Sequence, residues 1–417
     1  MTSSQFDSRT SAVRLGQQLD RLATWTAPGE GVTRASLTDA YMSALAYLEE
    51  LARDLNLRVH YDAVGNFYAT NAGPGEPSIA IGSHIDSVPN GGRFDGTAGV
   101  MCAFELVRAL PGVPLTVVSF IGEEGSRFPW GLLGSRCVAG QVTAEQLRHL
   151  QDETGTSFFD AAQARGFHPE DVQSCHGELR HWSEYLEIHI EQGRVLQDEQ
   201  LQLGLVTDIA GMIHASLTIH GRADHAGATP MNLRSDAGLT AAEVVLELNT
   251  FAKAASPTAV STVGTLELRP GARNVIPGSA TVGLDIRDRR AEVMTDIVRH
   301  ITTFAETRAT GRHQQVSYEE DLHSAPVALD AAVVSGLEVT MRELQIPHRR
   351  MVSGAGHDAM MVAPFVPAGM LFVPCRDGVS HAPDEYADPQ HLATAVAVAA
   401  EYIRNLRRTS PALAAHA

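Results

Sequence analysis

The chain has 417 residues, which is enough for two or three domains with large hydrophobic cores. Its 32 Lys and Arg residues against 49 Asp and Glu residues give a net charge of −17, which excludes nucleic acid or an anionic membrane as the main partner. The N-terminal segment lacks a signal-peptide pattern, and no apolar run is long enough to span a membrane. Four scattered cysteines without a C-x-x-C pair exclude a disulfide framework and a thiolate zinc site. These features predict a soluble protein of a reducing compartment, the cytoplasm.

The first half of the chain alternates segments of helical spacing with short apolar runs typical of buried strands. In chain order these are a helix within 37–55, a strand in 78–87, a helix at 98–110, and strands in 115–124 and 184–193. The alternation predicts an α/β domain with a mainly parallel sheet. All three strands end in clusters of His, Asp and Glu, and ligands bind outside the carboxyl ends of parallel strands. The pattern therefore predicts one shared site at that edge.

A different order of elements begins near residue 213. A strand, a helix, two strands, a helix and a strand follow one another at 213–221, 235–253, 259–268, 279–288, 291–309 and 315–320. This is the β-α-β-β-α-β order of a ferredoxin-like domain. Helical spacing then returns, followed by a strand in 369–374 and a helix near 388–406. We therefore predict one catalytic metal-binding domain formed by 1–212 and 328–417, with 213–327 inserted into it; 141–182 has no interpretable pattern.

Imidazole and carboxylate side chains recur in an arrangement that suits metal ions. They are His84, Asp86, Asp95, Glu123, Glu124, His189 and His381. Such donors without thiolates suit zinc, manganese or cobalt in a hydrolytic site, and five ligands that share one carboxylate can hold two ions about 3.5–4 Å apart. Glu123 and Glu124 follow a buried apolar run, where unpaired charges are costly, and this favours a metal site over a solvated acidic face. One glutamate can bind metal and the other can act as general base, while Asp86 is expected to orient the imidazole of His84.

Seven segments resemble the hydantoinase/carbamoylase family of binuclear metal amidohydrolases, a branch of the aminoacylase/carboxypeptidase-like metallohydrolases. They are GSHIDSVPNGGRFDG, IGEEGSRF, EIHIEQG, DHAGATPM, RNVIPG, SGAGHDAM and DGVSHAPDE. The resemblance extends from near residue 60 to near residue 390, in the family's order. It implies an α/β fold whose mainly parallel-sheet metallohydrolase domain carries an inserted lid, and a homodimer paired through that lid.

The resemblance also implies two divalent ions per subunit. One ion would be held by His84, Asp95 and His189, and the other by Asp95, Glu124 and His381, with Asp95 bridging. Glu123 would be the general base. Zinc is the favoured metal, and manganese, cobalt or nickel is compatible with the same donors.

Substrate-binding residues follow from the resemblance as well. His225 would stabilise the oxyanion, Asn274 and Arg287 would bind the substrate carboxylate from the neighbouring subunit's lid, and Gln192 would contact substrate. On the residues alone, Arg287 within RDRR equally fits a surface ion pair. His357, in the glycine-containing SGAGHDAM segment, has no assigned role.

The implied reaction is hydrolysis of the carbamoyl (ureido) C–N bond of an N-carbamoyl-L-amino acid, which yields the amino acid, carbon dioxide and ammonia. Arg93 stands where many carbamoylases have asparagine, and the segment EEGSRFP also resembles some allantoate amidohydrolases. Arg93 and Pro129–Trp130 therefore leave allantoate as the alternative substrate. An aminoacylase or peptidase is a weaker alternative, and a non-catalytic binding protein is the weakest.

Overall fold

The computed structural model describes residues 7–409, which form two compact units. The larger unit comprises the chain through Thr207, Leu329–Met351 and the chain from His357, and the smaller comprises Asp208–Ala328 and Val352–Gly356. Within the described residues, every helix falls short of the length and apolar character that a membrane span needs.

The strands and helices follow one another in a mixed α/β order. The strands are β1 (Arg58–Tyr61), β2 (Phe67–Thr70), β3 (Ser78–His84), β4 (Leu115–Phe120), β5 (Trp182–Ile190), β6 (Leu203–Ile209), β7 (Gly211–His220), β8 (Val260–Arg269), β9 (Ser279–Asp288), β10 (Gln315–Ser324), β11 (Val327–Ala328), β12 (His348–Ser353) and β13 (Ala368–Val373). The helices are α1 (Ser8–Ala23), α2 (Asp39–Asp54), α3 (Thr97–Ala109), α4 (Leu133–Val138), α5 (Ala144–His149), α6 (Phe158–Ala164), α7 (Val195–Asp198), α8 (Ala237–Ala255), α9 (Ala291–Thr310), α10 (Ala331–Glu343), α11 (Asp358–Val362) and α12 (Pro389–Thr409).

The core of the larger unit is a sheet whose central strands are parallel. β4, β3, β5 and β13 lie side by side in that order, and each of these pairings is parallel. β3, β4 and β13 are buried along their whole length, as expected for strands covered on both faces. The fold class is therefore α/β with a mostly parallel central sheet.

Antiparallel strands extend this sheet on both sides of the parallel centre. β2 and β1 continue it beyond β4, and β6 continues it beyond β13. Helix α3 packs against β3 and is itself covered by α1 and α12. The segment 141–182, which has no interpretable sequence pattern, forms α5, α6 and a 3₁₀ segment at Pro169–His181.

The smaller unit contains an antiparallel sheet in the order β10-β7-β9-β8. Burial alternates along β7 and β9, so that one face of the sheet is covered by α8 and α9 around a shared apolar core. β8 lies at one edge of the sheet, and most of its side chains are exposed. The chain order of these elements is β7-α8-β8-β9-α9-β10.

Candidate metal centre

Imidazole and carboxylate groups converge at the carboxyl ends of the parallel strands. His84 ends β3, and His189 is the penultimate residue of β5. Asp95 precedes α3, while Glu124 follows β4 and His381 lies in the loop after β13. Three groups bring their ligand atoms within 4.8 Å of one another, and two of them share Asp95. His84, Asp95 and His189 form the first, Asp95, Glu124 and His381 form the second, and Glu187, His189 and His357 form the third.

The carboxylate of Asp95 belongs to the first two groups and offers one oxygen to each. Its Oδ1 lies 3.2 Å from Nε2 of His189 and 3.6 Å from Nε2 of His84. Its Oδ2 lies 3.3 Å from Nε2 of His381, which in turn lies 3.4 Å from Oε2 of Glu124. The geometry is that of a carboxylate shared between two adjoining cation sites.

The ring orientations of His84 and His189 show that the donor set suits a cation. Nδ1 of His84 donates to the carbonyl oxygen of Asp86 at 3.0 Å, and Nδ1 of His189 donates to that of Ile190 at 3.0 Å. Because a carbonyl only accepts, each Nδ1 carries the proton, and a neutral ring then turns its Nε2 lone pair toward Asp95. Nε2 atoms aimed at one carboxylate oxygen are positioned as metal ligands, so this donor set fits divalent metal ions.

The electrostatics of the cluster support the same conclusion. Burial, with the nearby charge of Asp95, raises the pKa of Glu124 to about 7. Burial also raises the pKa of Glu123 well above its usual value; the neighbouring carboxylates act in the same direction and the charge of His84 acts against them. The hydrogen bond with Asp95 raises the pKa of His381 to about 9. Divalent cations at this position would relieve the mutual repulsion of the carboxylates.

Asp86 acts on this cluster in a different way from the one the sequence suggests. Its main-chain carbonyl, rather than its carboxylate, meets the ring of His84; the carboxylate Oδ1 lies 3.8 Å from Nδ1. The carboxylate instead accepts the main-chain N–H groups of Gly122, Glu123 and Glu124 at 3.0, 3.3 and 3.2 Å. Asp86 therefore positions the loop that carries both glutamates as well as the imidazole.

Two residues near the cluster adopt left-handed backbone conformations that non-glycine residues seldom use. Gln192 and His381 both have a φ of 56°. Nε2 of Gln192 donates to Oδ2 of Asp95 at 2.7 Å, and its buried Oε1 has no hydrogen-bond partner within residues 7–409. Gly96 has a φ of 62°, and a Cβ there would lie 2.4 Å from the ring of His84. The close approach of Gly96 to that ring requires glycine.

A second layer of buried polar groups lies against His189. It contains His357, which the sequence left without a role, and Glu187, which the sequence did not single out. The ring of His357 is 4.5 Å from the ring of His189, and burial lowers the pKa of His357 well below its usual value. Glu187 accepts hydrogen bonds from Ser83 Oγ at 2.8 Å and Ala359 N at 2.9 Å. The position of Glu187, two residues before His189 on β5, was a usable signal because alternate residues of a strand share a face.

His225 and Asn274 lie on neighbouring exposed segments of the smaller unit. His225 forms a β-bridge with Val275, and Ala226 N donates to the carbonyl oxygen of Asn274 at 3.0 Å. Nδ1 of His225 accepts the N–H groups of Gly227 and Ala228 at 3.0 and 3.1 Å. Since Nδ1 accepts, a neutral ring carries its proton on Nε2, where it is available as a donor.

Arg287, on β9, is held by an ion pair within the smaller unit. Its Nε and Nη2 donate to the two oxygens of Asp285 at 2.8 and 2.7 Å, and its Nη1 donates to the carbonyl oxygen of Gly354 at 2.8 Å. Asp285 also lies 3.3 Å from Nε2 of His214. The ion pair considered from the residues alone is therefore present.

A parallel-sheet edge that gathers imidazoles and carboxylates around one shared aspartate defines a metal-dependent hydrolase. The chain belongs to peptidase family M20/M25/M40, which matches residues 80–405, and within it to the hydantoinase/carbamoylase amidases. It is accordingly a metal-dependent amidohydrolase, and the resemblance found in the sequence is confirmed.

Three relatives illustrate this membership. The chain is 37% identical over 408 residues to the N-carbamoyl-L-amino-acid amidohydrolase of Paenarthrobacter aurescens, covering 96% of this chain and 99% of that protein. It is 36% identical over 400 residues to the ureidoglycolate hydrolase of Oryza sativa subsp. japonica, covering 93% and 83%. A crystal structure of a hydantoinase/carbamoylase family amidase from Burkholderia multivorans matches with a TM-score of 0.89 at 34% identity, covering 96% and 98%.

Proposed function

We propose that this amidohydrolase cleaves the carbamoyl C–N bond of N-carbamoyl-L-amino acids and releases the amino acid, carbon dioxide and ammonia. The observation that carries the proposal is the carboxylate of Asp95 between two His-carboxylate groups, in a chain 37% identical to an N-carbamoyl-L-amino-acid amidohydrolase. Nearly the whole length of both chains takes part in that similarity.

The proposed site holds two divalent ions, one at each group, with zinc the favoured metal and manganese, cobalt or nickel compatible. Such ions lower the pKa of water toward about 7 and polarise a carbonyl group. Glu123 borders the cluster, with its Oε2 at 3.6 Å from Nε2 of His84. It accepts the proton of the attacking water and passes it to the leaving nitrogen. His225 donates its Nε2 proton to the developing oxyanion.

Substrate recognition is assigned to Asn274, Arg287 and Gln192. A guanidinium binds a carboxylate through parallel charge-assisted hydrogen bonds, which suits the free carboxylate of an amino acid. The bidentate contact with Asp285 fixes the plane of the Arg287 guanidinium before substrate binds. The Oε1 of Gln192, which has no partner in the described part of the chain, is an acceptor suited to the N–H groups of a ureido substrate.

Single substitutions should separate the two ion sites. We expect His381→Ala to weaken the ion held with Glu124, His84→Ala to weaken the ion held with His189, and Asp95→Ala to weaken both. Loss of a hydrogen-bond partner that orients a metal ligand costs about 10–100-fold in metal affinity. Loss of a ligand itself should therefore cost at least as much. Equilibrium dialysis with metal analysis measures the ions bound per chain. An equal loss of bound metal in all three variants would favour a mononuclear site.

The substrate is tested by a panel of N-carbamoyl-L-amino acids, allantoate, ureidoglycolate and an N-acetyl-L-amino acid, with ammonia and amino acid release measured after metal loading. The rice relative makes ureidoglycolate the second candidate. Arg93, one of the residues that suggested allantoate as the alternative substrate, pairs with Asp20 at 2.6 Å, so an ion pair accounts for its presence. Preferred turnover of ureidoglycolate or allantoate would replace the proposed substrate. Absence of turnover on every compound would favour the non-catalytic binding protein.

We also propose a homodimer formed through the smaller unit. β8 is an edge strand, and an uncovered edge invites pairing with another chain. Val260, Leu266 and Leu268 on β8 and Leu239 and Leu246 on α8 are exposed apolar residues. Light scattering after gel filtration measures the mass in solution, and a monomer would contradict the proposal.

The four cysteines are all unpaired and buried, which supports a reducing compartment such as the cytoplasm.

A further inference from the structure

The carboxylate of Glu385 joins the loop before α3 to the loop after β13. Glu385 is only 4% exposed. Its Oε1 accepts the main-chain N–H groups of Phe94 and Asp95 at 2.9 and 3.1 Å. Its Oε2 lies 2.9 Å from the hydroxyl of Ser380, the residue before His381. One side chain therefore contacts the main chain of one metal-ligand residue and the neighbour of another.

Ser380 adds a second connection between the same loops. Its hydroxyl lies 2.9 Å from Oδ2 of Asp95 as well as 2.9 Å from Oε2 of Glu385. A hydroxyl has one proton, so the two carboxylates share a single donor, and each of them constrains its position. The main chain of Gly92 lies directly against the carboxylate of Glu385, since a Cβ at Gly92 would lie only 2.0 Å from Oε1 of Glu385.

The two ligand groups that share Asp95 differ in how their histidines are held. His84 and His189 lie on central strands, and each ring is fixed by a main-chain carbonyl. His381 lies on a loop, its side chain is 50% exposed, and its φ of 56° is unfavourable for a non-glycine residue. Such a backbone conformation persists only where contacts with the surrounding residues hold it. The Ser380–Glu385 contact is adjacent to it.

We propose that Glu385 is a positioning residue for the ion held by Asp95, Glu124 and His381. The inference rests on the proposed binuclear function. Glu385 holds the main chain of Asp95 and, through Ser380, the segment that carries His381, so it sets the spacing of these two ligands. The ion held with His84 and His189 depends on it less, because β3 and β5 fix those imidazoles independently.

Removal of Glu385 should leave the fold intact. Phe94 and Tyr386 pack edge to face with ring centroids 5.5 Å apart, and Arg376 lies 4.9 Å from the centre of the Tyr386 ring. Arg376 N also donates to the carbonyl oxygen of Tyr386 at 2.8 Å. The Phe94–Tyr386 contact joins the same two loops without Glu385, and the Arg376 contacts hold Tyr386 within its own loop.

The test compares wild type with Glu385→Ala, Glu385→Gln and Ser380→Ala. Each full-length chain is stripped with a chelator and titrated with Zn²⁺ by equilibrium dialysis, and Co²⁺ spectra report the coordination of each ion. Glu385→Ala should bind one ion as wild type does and the other about 10–100-fold more weakly. Glutamine keeps an acceptor for the two N–H groups and a donor for Ser380, so Glu385→Gln should restore most of that affinity. Ser380→Ala should show a smaller loss at the same ion.

Glu105→Ala is the matched control, because Glu105 is another buried carboxylate of the same unit and bonds Ser11 and Arg14 instead. It should leave both ions bound as in wild type. Unchanged binding of the second ion by Glu385→Ala, or failure of Glu385→Gln to recover it, would overturn the proposal. Should Glu385→Ala not fold, Ser380→Ala and Glu385→Gln decide the matter. Fewer than two ions in the wild-type chain would instead contradict the binuclear function itself.

Discussion

We expect Glu123→Gln to lower kcat by about 10²–10⁴-fold or more while both metal ions stay bound. Glu123 lies beside the cluster but belongs to neither ligand group, and its nearest imidazole is that of His84 at 3.6 Å. Glutamine has the same shape and keeps an acceptor oxygen, but it cannot take a proton from water. The loss should therefore appear in kcat, with KM and ion content close to those of wild type.

Glu124→Gln is the matched variant, because Glu124 is the adjacent residue and both main-chain N–H groups bond the same Asp86 carboxylate. It should lose the ion that it shares with His381. Metal content and steady-state kinetics are measured on both variants after identical loading. The opposite result, in which Glu123→Gln loses an ion and Glu124→Gln keeps both, would show that Glu124 is the base and Glu123 the metal ligand.

The central strands were predictable from sequence, whereas the outer ones were not. β3, β4 and β13 are largely apolar because they are buried on both faces, and this pattern can be recognised without knowledge of the partner strands. β1 and β2 have four residues each, and β1 alternates between exposed and half-buried positions. Whether so short a segment becomes a strand depends on its partner: β2 pairs with β4, which lies 45 or more residues away, and β1 pairs with β2.

The candidate ligands were also easier to predict than the groups that hold them. His84 and His189 carry their signal in residue type and in their position at strand ends, and Asp95 carries it in residue type and in its place just before α3. The contacts of Asp86 and Glu385 depend on the path of loops, since these carboxylates bond main-chain N–H groups that any residue could supply. No residue type marks such an N–H, so the motif contains the carboxylate but does not identify its partner.

The other large effect is expected at Arg287. Arg287→Lys keeps the charge but cannot form two parallel hydrogen bonds, either with Asp285 or with a substrate carboxylate. We expect KM to rise by the equivalent of roughly 1.5–3 kcal/mol for one lost charged hydrogen bond. Arg289→Lys is the control, because Arg289 is a neighbouring arginine that pairs with Asp208 instead. A neutral amide analogue of the substrate should lose little further affinity in the Arg287→Lys chain, because the contact is already gone.

Mixed dimers test whether Arg287 serves the neighbouring subunit's site. Glu123→Gln and Arg287→Ala chains should each be nearly inactive alone, but random exchange makes about half of the dimers mixed. If the arginine reaches across, each mixed dimer has one site with an intact Glu123 that also receives an intact Arg287. Activity should then recover to about a quarter of wild type, since one site in two works in half of the dimers. Fully exchanged mixtures that stay inactive would place Arg287 in its own subunit's site, because then every site in a mixed dimer lacks one of the two groups.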